Sequence, residues 1–135
     1  MPRPDGTPPL STTPSRPRIL VVDDEAAIRT ITRLMLEAAG YMVTEASDAA
    51  GALTRIRSAD RPFMVILLDV TLPDRAGNEL LPELRYTSPR SQVVLTSGRP
   101  EEDMPDHGAD GYLPKPFTRD QLVSTVRAVT AMSPT

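Results

Sequence analysis

The chain has no cysteine, which excludes disulfides and cysteine-ligated zinc. It has a single histidine, His107. With no second histidine or cysteine beside it, a transition-metal site is not expected, and His107 reads as a loop residue. Long apolar runs are also lacking. The longest, Phe63 to Leu68, has six residues, far short of the roughly 20 that span a bilayer. The N-terminus lacks the apolar core of a signal peptide. These absences predict a cytoplasmic protein without membrane insertion. The formal net charge of −3 argues against direct DNA binding.

What is present divides into two parts. Residues 1–17 hold six of the 15 prolines and, Met1 aside, one large aliphatic side chain, Leu10. Such a composition buries too little surface to offset the entropy of ordering, so a disordered Pro-rich tail is expected there. From Arg18 the pattern is that of a packed domain, expected over 18–132. Ile19-Leu20-Val21-Val22 reads as a buried strand. Ile28, Ile31, Leu34, Met35 and Ala38 recur at helical spacing, and Gly40 ends that helix. Met42-Val43-Thr44 is a second strand, and Ser47 is placed to cap a helix carrying Leu53 and Ile56.

Phe63 to Leu68 has the length of a strand, and its unbroken apolar character requires cover on both faces. Leu80, Leu81 and Leu84 predict a third helix, with Pro82 confined near its first turn. Gln92 to Leu95 and Gly111 to Leu113 are two further strands. Thr118-x-x-Gln121 is a capping-box signature, opening a last helix with a Leu122, Val126 and Val129 stripe. Strands alternating with helices imply parallel pairing and right-handed crossovers. The expected fold is therefore α/β, one doubly wound, five-stranded parallel sheet.

In such a sheet ligands bind beyond the carboxyl ends of the strands. Asp23 and Asp24 follow the first strand, Asp69 the third, Thr96 and Ser97 the fourth, and Lys115 the fifth. Three carboxylates on one edge repel one another unless a cation offsets them. Magnesium, a hard ion held by a few carboxylates with water and phosphate oxygens, suits that set. Lys115 supplies a second positive charge. Asp69 is then a candidate nucleophile, since carboxylates form aspartyl phosphates. Lys115 and the Thr96 hydroxyl would position the transferring oxygens. Each residue alone has a plainer reading: helix cap, turn, strand-end hydroxyl, solvated lysine. Their joint placement after the right strands favours the chemical one.

Four stretches carry a family likeness: Val21-Val22-Asp23-Asp24-Glu25, Leu67-Leu68-Asp69-Val70-Thr71-Leu72-Pro73, Val94-Leu95-Thr96-Ser97 and Tyr112-Leu113-Pro114-Lys115-Pro116-Phe117. Over about Arg18 to Met132 the chain resembles the receiver domains of response regulators in two-component signalling. The resemblance implies a flavodoxin-like sheet of order 2-1-3-4-5. It implies that Asp23, Asp24, Asp69 and the Thr71 main-chain carbonyl hold Mg2+, and that Asp69 is the phosphoacceptor. Thr96 and Lys115 would grip the phosphoryl oxygens. Thr96 and Tyr112 would form the switch, the aromatic ring turning inward as the threonine moves. The Lys115-Pro116 bond would be cis, and the residues two after the acceptor and the threonine, Thr71 and Gly98, would tune phosphoryl lifetime. A histidine kinase or phosphotransfer protein would be the phosphodonor.

The likeness has departures. Ala76 stands where an acidic residue often precedes the glycine. Only twelve residues, Arg99 to Asp110, separate the expected fourth and fifth strands, the lower limit for a crossover with a helix. Pro100 suits a helix start, but Pro105 follows at once and breaks what it starts. A single turn or irregular loop is expected in place of a fourth helix. The face many relatives dimerise through would be truncated, so the chain is expected to act mainly as a monomer. No output segment follows the last helix, which predicts a stand-alone phosphoacceptor with a downstream protein target. A non-phosphorylated binding module and an aspartyl-phosphate hydrolase are the competing readings. The intact Asp, Thr and Lys set disfavours the first. Thr71, where a hydrolase places its second acid, disfavours the second.

Overall fold

The computed structural model describes residues 16–104 and 107–131. Most of the expected Pro-rich tail, the Pro105 break and the domain limit at residue 132 lie outside the described residues. The elements run β1 (Arg18–Val22), α1 (Ala26–Ala38), β2 (Met42–Ala46), α2 (Ala49–Ser58), β3 (Val65–Asp69), α3 (Gly77–Thr87), β4 (Gln92–Ser97), β5 (Gly111–Pro114) and α4 (Arg119–Ala131). All strand pairs are parallel, in the order β2-β1-β3-β4-β5.

The side-chain alternation of the central strands builds two cores. Leu20, Val22, Ile66, Leu68, Val93 and Leu95 face α2 and α3, where Ala52, Leu53, Leu80 and Leu84 meet them. Ile19, Val21, Val65, Leu67 and Val94 face α1 and α4, where Leu36, Leu122, Val126 and Val129 close the other side. Every residue of β3 and β4 is buried, as the unbroken apolar run requires. Each fully buried aliphatic side chain contributes about 1.5–3 kcal/mol by leaving water. The framework carrying the strand ends is therefore stiff.

Three local expectations need correction. The buried face of α1 is Thr32 and Leu36, while Ile31 and Leu34 are about half exposed. The apolar spacing was right for a helix but wrong in phase, because apolar residues lie on more than one side of it. The cap of α2 is Asp48, not Ser47: its carboxylate accepts from the Gly51 N–H at 2.7 Å. Pro82 sits in the interior of α3 rather than its first turn. There its missing N–H leaves the Asn78 carbonyl without a helical partner.

The capping box of α4 forms as expected. The Thr118 N–H donates to Gln121 Oε1 at 2.9 Å, and the Gln121 N–H donates to Thr118 Oγ1 at 3.1 Å. Gly40 takes φ +101° at the end of α1, a left-handed conformation that glycine adopts without a Cβ clash. Between β4 and β5 the described chain makes one 3-10 turn, Glu101–Asp103, in place of a helix. This is the shortened crossover that the twelve-residue span predicts.

Candidate functional site

The carboxyl ends of β1, β3 and β5 bring four of the expected residues together. One carboxylate oxygen from each of Asp23, Asp24 and Asp69 lies within 4.8 Å of the others. Asp23 and Asp69 are buried and Asp24 is exposed. The Lys115 ammonium donates to Asp23 Oδ2 at 2.8 Å and to Asp69 Oδ2 at 3.2 Å. Glu25 lies 3.9 Å from it at the rim. The second oxygens are held by the backbone. Asp23 Oδ1 accepts from the Glu25 N–H at 2.9 Å, and Asp69 Oδ1 from the Thr71 N–H at 3.0 Å. Lys115 reaches the centre because its own N–H bonds the Ser97 carbonyl at 2.7 Å. The following Lys115-Pro116 peptide is cis.

Electrostatics follow from this crowding. Burial pushes the Asp69 carboxyl up. The Thr71 N–H and the Lys115 charge oppose that rise, the nearby Asp23 adds to it, and the net direction is upward. For Lys115, burial works against the charge. The bond to Asp23 and the negative charges of Asp69 and Asp23 outweigh it, so the ammonium is held above its usual range. The centre thus carries three carboxylates against one ammonium. Its donors are hard oxygens converging on one point, which fits a small divalent cation and does not fit a soft or nitrogen-seeking one.

Thr96 pairs directly with Asp69 across the β3–β4 ladder, and its carbonyl accepts from the Val70 N–H at 2.9 Å. Tyr112 stands one strand over, opposite Leu95. Its ring is inward, 8 % exposed, and its hydroxyl donates to the Arg99 carbonyl at 2.9 Å. Thr71 follows Asp69 in a tight loop closed by the Gly77 N–H on the Val70 carbonyl at 2.8 Å. Gly98 follows β4 with no atom within 4 Å of where a Cβ would stand.

Sequence reasoning gave several supporting residues no structural role. Gly77 is obligatory because a Cβ there would collide with the Asp69 carbonyl. Asp74 reaches from the loop after β3 to the start of α2, accepting from the Ala49 and Ala50 N–H groups at 2.9 and 3.0 Å. Those bonds hold its carboxyl below the usual range. Arg29 donates to the Asp23 carbonyl at 2.7 Å. His107 lies in a loop, as expected, and there packs on Tyr112 with ring centroids 5.3 Å apart and pairs with Glu101 at 3.0 Å. Only Asp74, beside a proline in a turn-like stretch, carried a readable signal.

A family model described as the response regulator receiver domain matches residues 19–127. Among curated proteins, the transcriptional regulatory protein KdpE of Mycobacterium tuberculosis is 38 % identical over 113 residues, covering 82 % of this chain and 49 % of that protein. The response regulator MprA of Mycolicibacterium vanbaalenii is 40 % identical over 116 residues, covering 83 % and 49 %. Among solved structures, a CheY-like receiver domain protein from Methanospirillum hungatei superposes with a TM-score of 0.78 at 32 % identity, covering 87 % of this chain and 96 % of that one. The chemotaxis response regulator CheY4 of Vibrio cholerae gives 0.77 at 30 %, covering 85 % and 99 %.

These findings overturn one expectation. The chain spans about half the length of the curated relatives it matches, and one of them is a transcriptional regulatory protein. The expectation of a stand-alone monomer without direct DNA binding is withdrawn. The net charge of a receiver does not decide what a longer protein containing one can bind. No helix among the described residues is long and apolar enough to cross a membrane. By sequence match, fold and the placement of its acidic centre, the chain belongs to the response regulator receiver domain family.

Proposed function

We propose that this receiver is a cytoplasmic phosphorylation switch, spanning about residues 18–132, in which Asp69 accepts a phosphoryl group from a phosphohistidine. The donor is a histidine kinase or a phosphotransfer protein. The observation that carries this reading is the paired hold on Asp69. Its carboxylate stands at the end of a buried strand, fixed by Thr71 and Lys115 at 3.0 and 3.2 Å, with Asp23 and Asp24 beside it.

Asp23, Asp24, Asp69 and the Thr71 carbonyl would hold Mg2+. When bound, the ion neutralises and orients phosphoryl oxygens. An Asp69 oxygen attacks phosphorus as the P–N bond breaks and its electron pair returns to the imidazole. The bond from the Thr71 N–H keeps the carboxylate aimed through the step. Lys115 moves its ammonium from a carboxylate oxygen to a phosphoryl oxygen, so that charge remains paired. The Thr96 hydroxyl, on the residue directly opposite Asp69 in the β3–β4 ladder, turns to another phosphoryl oxygen. The Tyr112 ring already lies inward with its hydroxyl on the Arg99 carbonyl, so movement of Thr96 acts on that bond and on the loop Arg99–Met104, changing the surface offered to a target. Incubation with Mg2+ and a small acyl phosphate, followed by intact-protein mass spectrometry, tests this. One added phosphoryl group on the parent and none on Asp69→Asn is the expected result. Equal labelling of both would overturn it.

A further inference from the structure

Asp23 and Asp24 must keep two carboxylates near Asp69 despite mutual repulsion, which at a spacing of about 4 Å amounts to a few kcal/mol near a protein surface. Among the described residues the ion pairs of Lys115 go to Asp23, Glu25 and Asp69, and none to Asp24. Something else must fix the peptide that joins the pair. The Asp23 N–H bonds the Ala46 carbonyl at 3.1 Å. The Asp23 carbonyl accepts from Arg29 Nη1 at 2.7 Å. Arg29 is itself braced, its Nε donating to Glu45 Oε1 at 3.1 Å, and Glu45 Oε2 pairs with Arg33 Nε at 2.9 Å. The Arg29 side chain is 19 % exposed, so its fork is held between strand β2 and the loop after β1.

We infer that Arg29 is a positioning residue for the metal-binding pair. By gripping the Asp23 carbonyl it fixes the plane of the Asp23–Asp24 peptide, and with it the direction in which the Asp24 side chain leaves the chain. The affinity of the centre for a divalent cation then depends on a guanidinium that never touches the cation. A planar guanidinium can serve two acceptors at once at fixed angles. A lysine ammonium, a point donor on a flexible stem, cannot hold both the Asp23 carbonyl and Glu45 in the same geometry.

This rests on the proposed use of the centre for Mg2+, and the sign of the effect separates positioning from plain charge. Were Arg29 acting only as a nearby positive charge, removing it would relieve repulsion and tighten Mg2+ binding, and Arg29→Lys would change nothing. Positioning predicts the opposite. Mg2+ titration by calorimetry on the full chain should show Arg29→Gln binding about tenfold more weakly, the loss typical of residues that orient metal ligands. Arg29→Lys should weaken binding in the same direction, with far-UV circular dichroism matching the parent in both variants. Unchanged or tighter Mg2+ binding in both variants, with the parent binding normally, overturns this inference alone. A parent that binds no Mg2+ overturns the proposed function and takes this inference with it.

Discussion

Replacing Asp69 with Asn tests whether the centre is strained by its own charge. The carboxamide keeps the shape and one oxygen, which accepts from the Thr71 N–H; its NH2 stands where Oδ2 accepted from Lys115, so that bond is lost together with the negative charge. Asp69 is attracted by Lys115 at 3.2 Å and repelled by carboxylates within 4.8 Å. At an effective dielectric of about 20, each such term is roughly 3–5 kcal/mol. Asp24 is exposed and its repulsion is screened by water, so the Lys115 attraction is set mainly against the Asp23 repulsion, and burial decides: the Asp69 carboxyl is raised with burial as its first cause. Removing the charge should stabilise the metal-free protein at neutral pH by about 1–2 kcal/mol. That is what survives of a several-kcal/mol desolvation cost after weakened hydrogen bonds are subtracted. The melting temperature should rise by roughly 3–8 °C.

The effect has a definite pH course. With its folded value raised above the ordinary 3.8, Asp69 in the native state binds its proton more firmly than in the unfolded chain. The parent's disadvantage is absent below that ordinary value and grows as pH rises through the raised one. Urea unfolding of both proteins in a metal-free buffer, from about pH 3 to about pH 8, should give curves that converge in acid and separate towards neutrality. An Asp69→Asn protein less stable than the parent at neutral pH, or a gap that does not change with pH, would refute the reasoning.

Three more outcomes follow from the same geometry. Lys115→Met leaves Asp23 and Asp69 buried without their cation and should cost about 3–5 kcal/mol in urea unfolding at neutral pH; a smaller cost with Mg2+ present would show the ion taking over its charge. Asp24→Asn should weaken Mg2+ binding in a calorimetric titration yet raise the metal-free melting temperature, because an exposed repelling carboxylate is gone. Gly98→Leu meets no atom at its Cβ, so it should fold normally, shield the phosphorylated centre from water and slow loss of the phosphoryl group by a measurable factor in a mass-spectrometric time course; unchanged decay would count against the site's placement.

The readable parts of this fold were those decided by neighbours in sequence. The six-residue run ending at Leu68 announced a doubly covered strand. Thr118 and Gln121 announced a capping box, and the short span from Arg99 to Asp110 announced a missing helix. The residues that follow each strand then located Asp23, Asp24, Asp69, Thr96 and Lys115 through topology alone. What stayed hidden were contacts between distant segments. Asp74 reaches α2 across 25 positions, and Arg29 is useful only because β2 brings Glu45 to it. His107 matters because a loop in place of a helix lays it on Tyr112. The phase of α1 was misjudged for a related reason: Ile31 and Leu34 are as apolar as Leu36, and only the packed sheet selects which of them is covered.

The central claim is that the phosphoryl group is carried as an acyl phosphate on Asp69. The phosphorylated chain should be treated with borohydride, which reduces an acyl phosphate to an alcohol, and its peptides then sequenced by mass spectrometry. Homoserine at position 69, and at no other aspartate, is the predicted result. Phosphate that survives reduction on a serine, a threonine or His107, or homoserine at another position, would contradict it.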